Sequence, residues 1–335
     1  MELITLGALR PVYTPAELEK AKSIVYETMT PTLQHNWPLL EAELGCEVWL
    51  KHENHTPTGA FKVRGGLVHM RLRQERGETN GVITASTGNH GQSIPFAAKR
   101  EGVTAVIVVP ENNSAEKNAA MRALGAELVE TGHDFNAAKD AMERMAEDRN
   151  LDIVPSFDRE LVMGVSTYAH ELFEAAGELD AVYVPIGMGS GCCGVIAARD
   201  MLGLKTEVIG VVSTEANAYA LSYKAGKAIS TNSIGTFAEG MAVRIPHQLA
   251  LDYIIEGCSR IVEVSDDEIA EAMRLAYRAT HNITEGAGAG ALAGIMNERE
   301  LMAGKRVGAI VSGGNIDAER YAAVLSGKTP KIKGN

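Results

Sequence analysis

Short apolar runs rich in β-branched residues recur along this chain, and each is followed by a longer segment with the three-to-four-residue periodicity of an amphipathic helix. The runs predict strands at 81–85, 104–109, 126–130, 152–155, 180–186, 206–212, 260–264 and 306–311, with an earlier one at Cys46–Lys51. The periodic segments predict helices at 89–101, 114–124, 134–148, 159–176, 191–202, 215–226, 265–280 and 286–298. Two helix starts carry capping boxes. Thr14-Pro-Ala-Glu17 opens a helix running to about Met29, and Ser265-Asp-Asp-Glu268 opens the one at 265–280. A short helix ends at Gly45. Strands alternating with helices imply an α/β fold of parallel sheets flanked by helices on both faces.

No low-complexity linker and no internal repeat divides the chain, so a boundary has to come from grouping strands. The strands between 80 and 158 make a compact four-strand set, the size of a small mobile domain. Residues 1–79 and 159–335 make the larger one. Such a two-lobed molecule places its ligand in the cleft between lobes.

Composition changes the picture mainly by exclusion. The 335 residues carry a net charge of −11, which disfavours nucleic acid and anionic membrane as partners. Cys46, Cys192, Cys193 and Cys258 have no zinc-like or secreted-scaffold spacing, so free thiols in a reducing cytoplasm are expected. No signal peptide and no run of membrane-spanning length is visible. His52-Glu-Asn-His55 is one residue short of a zinc motif and reads as two polar loop histidines.

The candidate chemistry starts at Lys51–Gly66. After the strand, the turn Thr56-Pro-Thr-Gly59 leads into a helix opening at about Ala60 to Lys62, which holds an amine at a helix start. The helix dipole and partial burial both disfavour an ammonium there, and a neutral lysine amine attacks carbonyls. Three further loops follow strands: Ser86-Thr-Gly-Asn-His-Gly91, Gly187-Met-Gly-Ser-Gly191 and Ser312-Gly-Gly-Asn315. In parallel sheets, ligands bind beyond the carboxyl ends of the strands. The small residues of 187–191 let backbone amides and a helix N-terminus approach a phosphate.

These four pieces, in this order and with Glu285-Gly-Ala-Gly288 between the last two, resemble the tryptophan-synthase-like (fold type II) family of pyridoxal-phosphate enzymes. The nearest likeness is to its threonine/serine dehydratase branch. The resemblance covers about Thr30 to Asp317 and implies the same two-lobed layout, a pyridoxal 5'-phosphate cofactor and a homodimer. It assigns Lys62 as the Schiff-base lysine and the base for the α-proton, with Phe61 beside it. It assigns Gly187, Met188, Gly189, Ser190 and Gly191 to the phosphate, although four glycines are usual there and Met188 and Ser190 depart from that. Ser86, Thr87, Gly88, Asn89 and His90 fall on the substrate-carboxylate loop, and Asn89 also reaches the ring hydroxyl. Ser312 faces the ring nitrogen, Gly240 of Glu239–Arg244 passes the cofactor, and Glu285 lies near the ring. A serine cannot hold a proton on that nitrogen as an aspartate would, which favours elimination over transamination. The divalent-cation segment of many relatives reads Val211–Tyr219 here, with only Glu215 left, so no metal site is expected. Asn315 is expected to cap the last helix.

The implied activity is removal of water from a 3-hydroxy L-amino acid such as threonine or serine, giving a 2-oxo acid and ammonia. The same chemistry on 3-phenylserine or 3-hydroxyaspartate is an alternative. Thr87 leaves room for a serine racemase-like reaction, below dehydration because of its methyl group. Gly189-Ser-Gly-Cys-Cys-Gly194, with Glu215 about 20 residues on, also satisfies a dinucleotide fingerprint, so an NAD-binding oxidoreductase is a rival. A non-enzymatic two-lobed small-molecule binding protein would need no reactive lysine.

Overall fold

The computed structural model describes residues 12–232 and 234–331. Its strands are β1 (Gln34–Asn36), β2 (Glu47–His52), β3 (Val82–Ala85), β4 (Ala105–Val109), β5 (Glu127–Glu130), β6 (Asp152–Ile153), β7 (Ala181–Pro185), β8 (Glu207–Ser213), β9 (Arg260–Val264) and β10 (Arg306–Val311). The first seven helices are α1 (Pro15–Tyr26), α2 (Pro38–Leu44), α3 (Lys62–Glu75), α4 (Asn89–Arg100), α5 (Ala115–Ala123), α6 (Phe135–Asp148) and α7 (Arg159–Ala176). The remainder are α8 (Ser190–Met201), α9 (Ala218–Ala225), α10 (Gln248–Gly257), α11 (Asp266–Thr280), α12 (Gly286–Asn297), α13 (Arg299–Met302) and α14 (Ala318–Leu325).

Two sheets result. One has the order β1-β2-β10-β7-β8-β9, parallel except for β1, and the other is the parallel set β5-β4-β3-β6. The centre strands β3, β4, β7 and β8 are buried almost throughout, which is why they read as continuous apolar runs. Both expected capping boxes are formed, at Thr14 with Glu17 and at Ser265 with Glu268.

Several expectations need correcting. The three-residue β1 pairs antiparallel with β2, and it is too short and polar to show as a strand in sequence. Helix α10 was not expected either. The segment at 215–226 is a 3-10 turn, Thr214–Ala216, followed by the shorter α9. β6 is two residues long rather than four, and α1 stops at Tyr26, three residues before Met29.

Helix α3 carries Lys62 and is gripped on two sides. A Cβ on Gly164 would sit 2.4 Å from the Arg64 carbonyl oxygen, so only glycine allows α7 to lie this close to α3. On the α4 side, Ser93 Oγ donates to the Lys62 carbonyl oxygen at 2.7 Å. Beneath the same helix start lies a buried charge network. Arg64 pairs with both oxygens of Glu53 at 2.7 and 2.9 Å and with both of Glu171 at 2.6 and 2.9 Å. Lys51 Nζ adds a bond to Glu171 at 2.5 Å and one to the Thr32 carbonyl at 2.7 Å. Two cations face two carboxylates, so the group is neutral as a whole. Burial pushes Glu171 up, but Arg64 and Lys51 outweigh it and hold its carboxyl below the usual range.

Candidate active site

Four strand ends meet around Lys62. The turn before it is closed by Thr56, whose Oγ1 accepts from the Ala60 N–H at 2.9 Å and donates to the Ala60 carbonyl at 2.8 Å. Gly59 then takes φ +70°, a left-handed conformation that side chains resist. Residues 59–61 run antiparallel to 312–314: Phe61 N–H donates to Ser312 O at 3.0 Å and Gly314 N–H to Gly59 O at 2.9 Å. The lysine turn is therefore tied to the end of β10, and Ser312 is buried beside it.

The Lys62 amine donates to Ser190 Oγ at 2.8 Å, which joins it to the glycine loop after β7. Burial lowers the amine's pKa from 10.5 to about 8, so a minor neutral fraction exists at neutral pH and grows as pH rises toward 8. The Phe61 ring lies edge-on to Tyr168, and the Tyr168 hydroxyl donates to Gly191 O at 3.0 Å. Phe61 thus packs beside the lysine amine, 5.2 Å from ring centre to Nζ, and against Gly191 of the glycine loop.

That loop opens α8 with no side chain capping it, so the amides of its first turn are free of side-chain acceptors. Gly189 has φ +101°, and a Cβ there would meet Ala250 at 2.7 Å. Gly187 approaches Gly240 so closely that a Cβ would lie 2.2 Å from the Gly240 carbonyl oxygen. Tyr219, absent from the sequence reading, donates its hydroxyl to Met188 O at 3.0 Å and accepts from His247 N–H at 3.2 Å, which fixes the loop from below. Met188 itself is half-buried.

The loop at 86–91 opens α4. Ser86 Oγ accepts from Gly91 N–H at 2.9 Å and from Gly88 N–H at 3.4 Å, so its hydroxyl shapes the loop. Thr87 and Gly88 are half-buried beside it. His90 is buried, its pKa pushed to about 3, first by burial and then by the Lys62 charge, and its Nε2 has no partner. A neutral imidazole therefore lies behind the loop. Asn89 donates through Nδ2 to Glu285 Oε1 at 2.7 Å. Glu285 is buried at the start of α12, its N–H bonded to Gly313 O at 3.1 Å. Burial raises its carboxyl to about 7 against the opposing effects of Lys117 and Asn89.

Asn315 does not cap the last helix; Asp317 stands at that position. Its Nδ2 instead donates to Thr58 O and to Asn89 Oδ1, both at 2.8 Å. Nothing in its spacing distinguished this role from a helix cap. Lys117, on α5, was also missed: it pairs with Glu239, and the two line a crevice with Gly240, Glu285, Asn315 and Asp317.

The residues suit a phosphorylated aldehyde. An uncapped helix start with glycine approaches suits a phosphate dianion, a partly neutral amine lies within a hydrogen bond of it, and Asn89 and Ser312 bring polar groups alongside. The histidines behave differently from expectation. His52 is a buried residue of β2 that accepts from Trp37 Nε1 at 3.1 Å and stacks on His55, which ends the 3-10 turn Glu53–His55, so neither is a loop histidine. His69, Asp158 and Glu160 place potential ligand atoms within 4.8 Å of one another, but Glu160 is already paired with Arg76 and with His69.

Comparison with known proteins identifies the family. Residues 25–313 match the family described as "Pyridoxal-phosphate dependent enzyme". The chain is 32% identical over 304 residues to an L-threo-3-hydroxyaspartate ammonia-lyase of Saccharomyces cerevisiae, covering 90% of this chain and 93% of the relative. It is 31% identical over 306 residues to an L-threonine ammonia-lyase of Thermotoga maritima, covering 91% of this chain and 75% of that one. Among solved structures it resembles the processed form of threonine deaminase isoform 2 from Solanum lycopersicum, with TM-score 0.86, 29% identity and 94% of each chain covered.

Proposed function

The chain belongs to the pyridoxal-phosphate dependent enzyme family, and on that premise we propose a division of labour among its residues. The protein is a pyridoxal-phosphate-dependent ammonia-lyase: it eliminates water from a 3-hydroxy L-amino acid, and the product hydrolyses to a 2-oxo acid and ammonia. The single observation that carries the residue assignment is the Lys62 amine, depressed to about 8 and 2.8 Å from Ser190 of the glycine loop. When bound, pyridoxal phosphate supplies an aldehyde for the amino group and an electron-withdrawing ring that acidifies the α-hydrogen.

In this reading the amides of Gly187–Gly191 and the Ser190 hydroxyl hold the phosphate. Phe61 keeps water from the lysine side. The Lys62 amine would be the base that takes the proton from the substrate Cα. The amides of 86–90 bind the substrate carboxylate, with Ser86 maintaining the loop's shape and His90 remaining neutral behind it. Gly240, Ser312 and Asn89 would hold the ring, with Ser312 offering a hydroxyl to its nitrogen and Asn89 an N–H to its oxygen. Glu285 is a reservoir for one proton near neutral pH.

Threonine or serine is our preferred substrate. A second reading, 3-hydroxyaspartate, is supported by Lys117 in the crevice beside Glu285 and Asn315, where a second carboxylate would find a cation once Glu239 is displaced. Thr87 puts racemisation below dehydration. We also place the enzyme in the cytoplasm as a homodimer without a metal, and assign 80–158 as a mobile lobe. No helix among the described residues is long and apolar enough to cross a membrane, and none of the four cysteines is in a disulfide.

The test is a panel of threonine, serine, 3-phenylserine and 3-hydroxyaspartate, with oxo acid and ammonia measured and the residual substrate resolved by chirality. Oxo acid from threonine or serine at the highest kcat/KM supports the preferred reading, and a preference for 3-hydroxyaspartate replaces it with the second. Inverted substrate without ammonia would sink both.

A further inference from the structure

We propose that Asn315 is a positioning residue that locks the polarity of the Asn89 amide, so that Asn89 offers hydrogen-bond donors and never its carbonyl to the ligand. The inference rests on the proposed cofactor site and deepens it.

The argument follows donors and acceptors outward from the backbone. A backbone carbonyl only accepts, so Thr58 O compels Asn315 to turn its NH2 end inward. That nitrogen has one more hydrogen, and it goes to Asn89 Oδ1 at 2.8 Å. Asn89 must therefore present its own NH2 end on the other side. One of its two hydrogens goes to Glu285 Oε1 at 2.7 Å, which leaves one N–H for a ligand acceptor. The turn before Lys62 is shaped for this arrangement: a Cβ on Gly59 would lie 2.5 Å from Asn315 Oδ1. The amide of Asn315 occupies the space that a side chain there would take. One hydrogen-bonded chain thus links the lysine turn, the β10 loop, the α4 loop and the α12 start.

An anionic acceptor such as the cofactor's ring oxygen is stabilised by a fixed donor. Without Asn315 only Glu285 orients the Asn89 amide, and a carboxyl that is partly protonated near neutral pH can donate as well as accept, so Asn89 spends part of its time presenting Oδ1, which repels the anion. Loss of the lock should therefore favour the neutral ring oxygen.

The experiment uses holoenzyme reconstituted with pyridoxal phosphate and compares wild type with Asn315→Ala, Asn315→Asp, Asn89→Ala and the double variant Asn89→Ala/Asn315→Ala. Absorbance from about pH 6 to 9 gives the ratio of ionised to neutral ring-oxygen forms of bound cofactor. Melting temperature is recorded for each, and Asn315→Asp keeps the side chain's shape if the alanine variant does not fold. The expected result is a fall in that ratio equivalent to about one to two pH units in either Asn315 variant, the range set by a hydrogen bond to a charged group. In the Asn89→Ala background the Asn315→Ala effect should vanish, because its route has been removed. Asn315 variants that bind cofactor with the wild-type ratio overturn the lock, as does a full effect persisting without Asn89. A wild-type protein that takes up no pyridoxal phosphate overturns the cofactor reading instead.

Discussion

Two ionisable side chains at this site, the half-buried Lys62 and the buried Glu285, push stability in opposite directions with pH. Lys62 is depressed from 10.5 to about 8. Between those values the unfolded chain binds more protons than the folded one, so apoenzyme stability should rise with pH through that window. Glu285 is raised from 4.5 to about 7, the reverse of the usual carboxylate case. Between 4.5 and 7 the folded protein binds more protons, so stability should fall as pH rises. Melting curves of apoenzyme across pH test both: Lys62→Met should flatten the alkaline slope and Glu285→Gln the acid one. Lys62→Ala should also lower kcat/KM by about 10²–10⁴-fold or more, the range for losing a positioned base, while leaving the melting temperature near or above wild type.

The start of α3 is the element whose placement matters most, and it is held by packing and by charge. Arg64 is wholly buried between Glu53 and Glu171. Arg64→Met should cost about 3–5 kcal/mol in urea denaturation, because two carboxylates are left without their main partner. Gly164→Ala should also destabilise, by about 1–3 kcal/mol, since the new methyl meets backbone that cannot turn aside. Both changes lie away from the reacting atoms, so a loss of activity should track a loss of folded protein in the same titration.

Across the whole molecule, α5 reaches over to the segment around α14. Ser114 bonds Asp317, Lys117 pairs with Glu239, and Glu116 accepts from the Ala318 N–H at 3.1 Å. All three contacts start on or just before the helix that connects β4 to β5 and end on segments after β8. If the lobe at 80–158 closes over substrate, these bonds hold it shut. Lys117→Met should then raise KM about two- to fivefold with a smaller change in kcat, the effect expected of one partly exposed ion pair. Steady-state kinetics on the preferred substrate checks this. A homodimer should elute with a light-scattering mass twice that of the chain.

Local pattern determined most of the elements, because burial on both faces of a parallel strand and along one stripe of a helix is written directly in residue order. The segment 159–176 and α7 coincide for that reason. The glycine and lysine stretches were legible too, since small residues and a turn before an amine have few structural substitutes. What failed was short or relational. β1 is three polar residues whose strand character comes only from pairing with β2. Asn315 looked like a cap because a side-chain amide has the same local signature whether its partners are two or 257 residues away. Sequence by itself determined the α/β class, the family likeness and the candidate loops. Only the tertiary structure decided which polar end of Asn89 faces inward, that Arg64 balances two buried carboxylates, and that α5 bonds Glu239 and the start of α14, because each depends on partners that chain order does not bring together.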